Sequence, residues 1–144
     1  MTTTIQSVLL SPDVTELLEQ CGLPVSDLSA STSLHFFGHR LGSQLVGVVG
    51  LECYGAVALL RSLGVAPTHR MSGLGQTLVL FAEGYAFSHN ISSVFLLTTT
   101  AAAFFTKLDY VPVSRDTAPA PIQATTQFSS LCPSSATFMV KVFV

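Results

Sequence analysis

The chain has 144 residues, of which 49% are apolar and only 10% are charged, and its formal net charge is −2. This length is typical of one domain with its own hydrophobic core, so we treat residues 1–144 as a single domain. A negative net charge removes the electrostatic basis of nucleic-acid binding, and we expect no nucleic-acid partner.

The two most apolar windows do not predict a membrane-spanning helix. Val46–Leu60 and Leu74–Phe87 are interrupted by Glu52 and Glu83, and neither reaches the ~18–20 apolar residues that cross a bilayer. The N-terminal MTTTIQSVLL lacks the basic region and the cleavage site of a signal peptide. We therefore expect no membrane partner and a cytoplasmic location.

The small share of charged residues predicts that a partner covers part of the apolar surface. A homodimer is the commonest arrangement of this kind. The three cysteines, Cys21, Cys53 and Cys132, are odd in number and widely spaced, which is typical of reduced thiols in a cytoplasmic protein.

The N-terminal part predicts a strand, a helix and a polar connection. Ile5–Leu10 is a short strand-like run. Ser11 is placed to cap a helix that begins at Pro12, and Gly22 with Pro24 ends it. The polar stretch SDLSASTS then leads to the next apolar run.

The middle of the chain predicts an antiparallel meander followed by a helix. Three strand-like runs, Leu34–Leu41, Gln44–Glu52 and Ala56–Val65, are separated by short turns. After Pro67 the apolar period changes from 2 to 3.6, which predicts a helix from about Gly73 to about Ser88.

The C-terminal part predicts a buried strand at Ser93–Thr98, a short helix in TAAAFFTKL, and strands at YVPV and Ala136–Val144. The connection between the last two strands is long, and connections of this length are often lids over a site. The fold class expected is therefore α/β, with a mixed, mostly antiparallel central sheet flanked by helices.

The stretch HRMSGLGQTLVLF joins a strand to a helix through a turn of small residues. Such a turn at a helix N-terminus is an anion site, because backbone N–H groups and the helix dipole both favour negative charge there. Gly73 and Gly75 permit close backbone approach, and Arg70 can add a charge-assisted hydrogen bond. The alternative is a glycine-rich helix start with no ligand. Neither the P-loop nor the dinucleotide pattern fits.

Arg70, Gly73 and Gly75 form Arg-x-x-Gly-x-Gly, which resembles the [Gln/Arg]-x-x-Gly-x-[Gly/Ala] pyrophosphate loop of the GCN5-related N-acetyltransferases. LRSLGVAPTHRMSGLGQTLV resembles their fourth strand, loop and third helix, and VFLLTTTAAAFFTKLDYVPV resembles their fifth strand, fourth helix and sixth strand. More narrowly, GLECYGAVALLRSLGV, LLTTTAAAFF and APAPIQATTQFSSLCPSSA resemble the small N-acetyltransferases of bacterial arsenic-resistance operons.

The resemblance implies acetyl-CoA as the donor and the primary amine of a small molecule as the acceptor, with no metal. It implies that the pantetheine arm pairs with the backbone of Leu63, Gly64 and Val65. The N–H of Val65 would polarise the thioester carbonyl. The pyrophosphate contacts fall to Arg70, Met71, Ser72, Gly73, Leu74 and Gly75.

The sequence departs from the family pattern at the position of the general acid. A tyrosine is usual early in the fourth helix, whereas FFTKLDY places Phe105 there. Thr98 aligns with an asparagine that often precedes that helix. Both residues are still expected beside the coenzyme, and protonation of the thiolate would come from water, Thr98, Thr99 or Tyr54.

On the acceptor side we expect Glu52 as the general base, with a solvated turn glutamate as the alternative. Arg61 is a charge within an apolar strand and therefore needs a partner. It either receives an acceptor carboxylate or pairs with Glu52 or Glu83. Tyr54 and Thr99 are the other residues expected to bind the acceptor. The most specific hypothesis for the acceptor itself is an arsenical or phosphinothricin-like amino acid.

Two other classes of function remain open at this stage. Phe105 is also compatible with a catalytically silent module that binds an acyl-CoA as a sensor or a partner subunit. The high apolar content alone would suit a structural dimerisation domain. His35 and His39 share a strand face but lie ~13 Å apart, too far to bind one metal ion. Cys53 is expected to be an inert thiol.

Overall fold

The computed structural model describes residues 4–28, 33–70, 72–126, 128–129 and 135–143. Within these residues the chain forms seven strands and four α-helices. The strands are β1 (Gln6–Val8), β2 (Leu34–Leu41), β3 (Gln44–Tyr54), β4 (Val57–Val65), β5 (Ser93–Thr98), β6 (Val111–Pro112) and β7 (Thr137–Val142). The helices are α1 (Pro12–Gln20), α2 (Leu74–Ser88), α3 (Ala102–Lys107) and α4 (Ala120–Gln123).

The strands form one sheet in the order β1-β2-β3-β4-β5-β7-β6. Every neighbouring pair is antiparallel except β4 and β5, which are parallel. The expected mixed α/β fold with a mostly antiparallel sheet and flanking helices is therefore confirmed. Among the described residues, none of the helices has both the length and the apolar character needed to cross a bilayer.

Helices α1 and α2 cover opposite faces of the sheet. A Cβ atom on Gly47 would meet Leu74 of α2, whereas one on Gly64 would meet Leu18 of α1. Gly64 pairs with Val48, the chain neighbour of Gly47, and neighbouring residues of a strand point to opposite faces. We call the face covered by α1 the front face and the face covered by α2 the back face.

Helix α1 forms where its terminal signals predict. Pro12 is its first residue, and Gly22 follows its end with φ of +71°, a left-handed conformation that glycine adopts without strain. Ser11 occupies the N-cap position, but its hydroxyl accepts no helical N–H and instead donates to the carboxylate of Asp13, with the carbonyl of Leu9 also within reach. The preceding strand is shorter than expected, because pairing with β2 is limited to three residues.

The hairpin between β3 and β4 differs from the sequence prediction. The run expected to end at Glu52 continues as strand to Tyr54, and the turn consists of Gly55 and Ala56. Gly55 has φ of +68°, as tight two-residue hairpins require. Glu52 consequently lies within β3 and not in a solvated turn.

Strands β4 and β5 separate along part of their length. Their pairing is limited to Val57–Leu59 with Ser93–Phe95. Beyond it, β4 contains a bulge, since Val48 pairs with Gly64 while Gly50 pairs with Arg61. Ser62, in the bulge, has φ of +56°. A bulge increases the local twist of a strand, and here it accompanies the opening of a cleft.

The connection between β6 and β7 packs on the front face in its described part. Ile122 of α4 is fully buried with Leu59 and Phe95, and Gln123 donates to the carbonyl of Ala118 within the connection. This part is a layer of the core. Residues 127 and 130–134, which include Cys132, lie outside the described residues, so a lid there stays a prediction.

Candidate active site

The separated ends of β4 and β5 enclose a cleft of about 540 Å³, a size usual for small-molecule sites. Its walls are residues 60–65 of β4, residues 96–101 at the end of β5, residues 21–24 after α1, Arg70 and Phe105. Of the residues expected to be functional, the cleft brings together Arg61, Leu63, Gly64, Val65, Arg70, Thr98, Thr99 and Phe105.

The open edge of β4 presents backbone groups to the cleft. The N–H of Ala66 donates to the carbonyl of Val46 on β3 at 2.8 Å. Since successive residues of a strand direct their N–H groups to opposite neighbours, the N–H of Val65 faces the cleft. The carbonyl oxygen of Val65 faces it too, because it accepts from Arg70 Nε at 3.1 Å and from Cys21 Sγ at 3.6 Å.

The N-terminus of α2 lies at the Val65 end of the cleft. Gly73 is its N-cap, with φ of +83°, and glycine has no side chain with which to cap the helix. As in any α-helix, the N–H groups of the first turn, which includes Leu74 and Gly75, have no intrahelical acceptor. A Cβ atom on Gly75 would lie 3.9 Å from Val65, so the helix start and the strand edge adjoin.

The hydroxyl of Ser72 donates to the carbonyl of His69 at 2.5 Å and so stabilises the turn that precedes α2. Ser72, Gly73, Leu74 and Gly75 lie beside the cleft and do not form its described walls. Met71, the remaining member of the expected loop, lies outside the described residues.

The side of the cleft formed by α3 carries no phenolic hydroxyl. Phe105 is buried and packs edge-to-face against Phe104 and Tyr110. The hydroxyl of Thr98 accepts a hydrogen bond from the N–H of Ala101 at 2.9 Å. Two hydroxyl side chains of the expected set, Thr98 and Thr99, thus line the cleft near Phe105.

Tyr54, expected on the acceptor side, lies outside the cleft walls, and its role there stays a prediction. It is the last residue of β3 and packs with Val57 and Leu59 in the front-face cluster beneath α4. The extension of β3 past Glu52 moves it to the end of the sheet where β4 begins.

Arg61 is buried, with 3% of its surface exposed, and it binds a carboxylate that the sequence did not indicate. Its Nη2 donates to Asp27 Oδ1 at 2.8 Å and its Nη1 to Asp27 Oδ2, while its Nε donates to the hydroxyl of Ser62 at 3.1 Å. Glu52 Oε1 lies 3.9 Å from Nη1. Glu83 instead pairs with Lys141 at 2.9 Å on the back face.

Asp27 lies in the connection after α1, a stretch described from the sequence only as polar. No motif marks it. The available signal was indirect: a buried arginine requires a carboxylate, and the chain has eight acidic residues in all. Arg61 thus pairs with one residue named beforehand, Glu52, and with one that was missed.

Glu52 is 3% exposed and lies behind Arg61, away from the cleft walls. Its role as a base stays a prediction. The neighbouring Cys53 is half-buried; burial first, and then the negative charge of Glu52, raise the pKa of its thiol to about 11. The thiol is therefore protonated at neutral pH, as expected of an inert side chain.

No group of three or more His, Cys, Asp or Glu side chains within the described ranges is arranged to hold a metal ion. His35 instead contacts the ring of Tyr85, and His39 Nδ1 lies 2.8 Å from the carbonyl oxygen of Thr4.

The split between β4 and β5, the bulge on β4 and the N-terminus of α2 define a class of protein with a cleft beside a helix end, whose free N–H groups favour an anion. The sequence matches the Acetyltransferase (GNAT) family over residues 7–110. The chain therefore belongs to this family of acetyltransferases. No curated protein sequence is significantly similar to it.

Solved structures of similar fold include N-acetylglutamate synthase from Neisseria gonorrhoeae, in complex with coenzyme A and N-acetyl-glutamate. The TM-score is 0.84 at 18% identity, and the match covers 100% of this chain but only 36% of that one. A Mycobacterium tuberculosis protein in complex with CoA matches with a TM-score of 0.80 at 16% identity, over 98% of this chain and 99% of that one.

A ribosomal-protein alanine N-acetyltransferase from Escherichia coli matches with a TM-score of 0.76 at 14% identity, over 99% of this chain and 94% of that one. At these identities the likeness shows the fold.

Proposed function

We propose that the protein is an acetyl-CoA-dependent N-acetyltransferase that acts on the primary amine of a small molecule. The observation that carries this proposal is the cleft between β4 and β5, which opens at one end beside the N-terminus of α2. Family membership and the coenzyme A complexes of two structures of similar fold support it.

The described residues fit the coenzyme. Leu63, Gly64 and Val65 form the strand edge along which the pantetheine arm pairs. The first-turn N–H groups of α2 and the guanidinium of Arg70 hold the pyrophosphate, with Met71 in the same loop.

The reaction forms a carbon–nitrogen bond and breaks a carbon–sulfur bond. Acetyl-CoA supplies the thioester from which the acetyl group is transferred. The N–H of Val65 donates to the carbonyl oxygen, where negative charge develops. Glu52 accepts the amine proton. Its carboxylate is buried behind Arg61, so a water carries the proton from the amine to it. The departing thiolate takes a proton from water or from the hydroxyl of Thr98 or Thr99.

Release of free coenzyme A thiol from acetyl-CoA tests the proposal. The acceptor panel contains alkylamines, amino acids and an amine antibiotic. An arsenical and a phosphinothricin-like amino acid are included because of the resemblance to arsenic-operon enzymes. Acceptor-dependent thiol release, with the acetylated product identified by mass spectrometry, is the expected result.

One observation favours a second candidate, an acyl-CoA-binding module without turnover. Phe105 fills the position where a phenolic acid would protonate the thiolate. Calorimetry with coenzyme A separates the two: binding without thiol release for any acceptor supports the silent module, whereas absence of binding contradicts both.

A further inference from the structure

Arg61 marks the end of the cleft from which an acceptor approaches. It pairs with Gly50 whereas Val65 pairs with Gly47, three residues along β3, which places Arg61 ~10 Å along the strand from Val65. Arg61 and Val65 both line the cleft. A second substrate that reaches an acetyl group held along this strand therefore enters at the Arg61 end, away from the N-terminus of α2.

The guanidinium of Arg61 uses three of its five N–H donors within the protein. All three of its nitrogens donate hydrogen bonds, two to the carboxylate of Asp27 and one to Ser62. The Asp27 side chain is 9% exposed and that of Arg61 1% exposed, so water does not compete with this pair. A carboxylate on the acceptor would have to compete with Asp27 for this guanidinium, and displacing Asp27 would leave a buried charge without its partner.

The charge at this end of the cleft is also unfavourable for an anion. Glu52 Oε1 lies 3.9 Å from the same guanidinium. Two carboxyl side chains, those of Asp27 and Glu52, thus lie beside the single guanidinium of Arg61. Such an environment attracts the ammonium form of an amine and repels an acceptor carboxylate.

We propose that the acceptor is a cationic primary amine without a carboxylate, and that Asp27 sets this preference by occupying Arg61. Asp27 is a positioning residue here, because it acts through Arg61 and does not touch the reacting atoms. The inference rests on the proposed acetyl transfer and narrows its substrate class; it ranks amino-acid acceptors, arsenical ones included, below plain amines.

The test compares matched acceptors that differ only in the carboxylate, phenylalanine with phenethylamine and lysine with cadaverine, at equal concentrations of neutral amine. In the unmodified protein we expect kcat/KM to favour the carboxylate-free member by about ten-fold or more, as one repulsive charge near the site would produce. A preference for the amino acid in both pairs overturns the inference and leaves acetyl transfer standing.

The variant Asp27→Asn frees the positive charge of Arg61. We expect it to lower the preference for the carboxylate-free amine by about ten-fold, through a gain in kcat/KM on the amino acid. Asp13→Asn is the matched control, since it removes the same charge from another aspartate–arginine pair, that with Arg40, away from the cleft. An unchanged ratio in folded Asp27→Asn overturns the role of Asp27.

Two further readouts keep the outcomes distinct. If Asp27→Asn does not fold, as seen by circular dichroism, the matched pairs in the unmodified protein decide the inference alone. If coenzyme A binds but no acceptor is acetylated, acetyl transfer fails. Calorimetric binding of each pair to the coenzyme A complex then decides the preference, and tighter binding of the amino acid, or no binding of either member, overturns it.

Discussion

Phe105 is the residue at which the cleft departs most from the family pattern, because a tyrosine is usual there. Its position in the cleft makes the absence of that general acid testable. Its ring lines the cleft and is held edge-to-face by Phe104 and Tyr110. Phe105→Tyr therefore adds a hydroxyl close to the departing thiolate. We expect kcat to rise by about ten-fold, since a positioned general acid contributes at least this much.

Thiol release under saturating acceptor measures the effect of Phe105→Tyr. Phe104→Tyr is the control, because Phe104 packs toward Gly75 and is outside the described cleft walls, so no rise is expected. An unchanged kcat in Phe105→Tyr would mean that Thr98, Thr99 or water already protonates the thiolate fast enough.

Glu52→Gln tests the proposed base. A base acts only when it is deprotonated, so its loss should lower kcat by ~10²-fold and remove the fall in rate toward acid pH that its titration causes. The pH profile of kcat for both proteins measures this. A variant with unchanged kcat and a raised KM would show instead that the Glu52 charge serves only to attract the amine.

The residues that were predictable from the sequence are those with a local signature. Arg70, Gly73 and Gly75 were recognisable because a strand, a turn of small residues and a helix follow one another directly. Asp109 lies in the left-handed region with φ of +75°, which aspartate tolerates better than most residues. Asp27 was not predictable, because its partner Arg61 is 34 positions away and no motif links them.

At the scale of strands and helices, the features that the sequence did not predict, such as the bulge in β4, arise from pairing between segments far apart in the chain. The run ALLRSLGV carries no sign of the bulge at Ser62, which exists because β3 and β4 pair in two registers. At Gly47 a Cβ atom would lie 2.7 Å from Leu74 of α2, a contact between segments far apart in the sequence. The alternation of apolar and polar residues thus predicts where the strands lie along the chain. It does not specify the contacts between strands that set their pairing registers.

The contact between α2 and β7 holds the back face together and can be tested by substitution. Lys141 Nζ donates to Glu83 Oε1 at 2.9 Å, and the Glu83 side chain is 9% exposed. Lys141→Met leaves a nearly buried carboxylate without its cation, so we expect the free energy of unfolding to fall by about 2–4 kcal/mol. Urea denaturation measures this fall.

The double variant Glu83→Leu, Lys141→Met is the control for that prediction, since it removes both charges and should recover most of the loss. A double variant as unstable as Lys141→Met would indicate that packing of the lysine stem, and not the charge pair, stabilises this contact. Tyr110 lies under Lys141. Its pKa is raised by burial and then by Glu83, so it stays protonated in either variant at neutral pH.

For the molecule as a whole, the order of strands and helices along the chain could be predicted but the order of strands in the sheet could not. The seven strands and the main helices occur where periodicity and turn residues placed them. The insertion of β7 between β5 and β6 brings together segments far apart in the sequence, and local patterns do not encode such pairing. That arrangement, with the split between β4 and β5, positions the cleft.

The expected homodimer is the remaining prediction about the whole molecule. Leu80 and Phe87 lie on one side of α2, seven residues apart, and are 48% and 65% exposed. Large apolar side chains on an exposed helix favour burial against a second copy. We expect sedimentation equilibrium to give twice the chain mass of 15.2 kDa, and the double variant Leu80→Lys, Phe87→Lys to shift it toward the monomer.

Both residues are outside the described cleft walls, so this variant should bind coenzyme A with unchanged affinity. Calorimetry on the same samples supplies that control and shows that the monomer is folded. A single-chain mass for the unmodified protein at micromolar concentration would contradict the dimer. It would also mean that this apolar surface of α2 is tolerated in water.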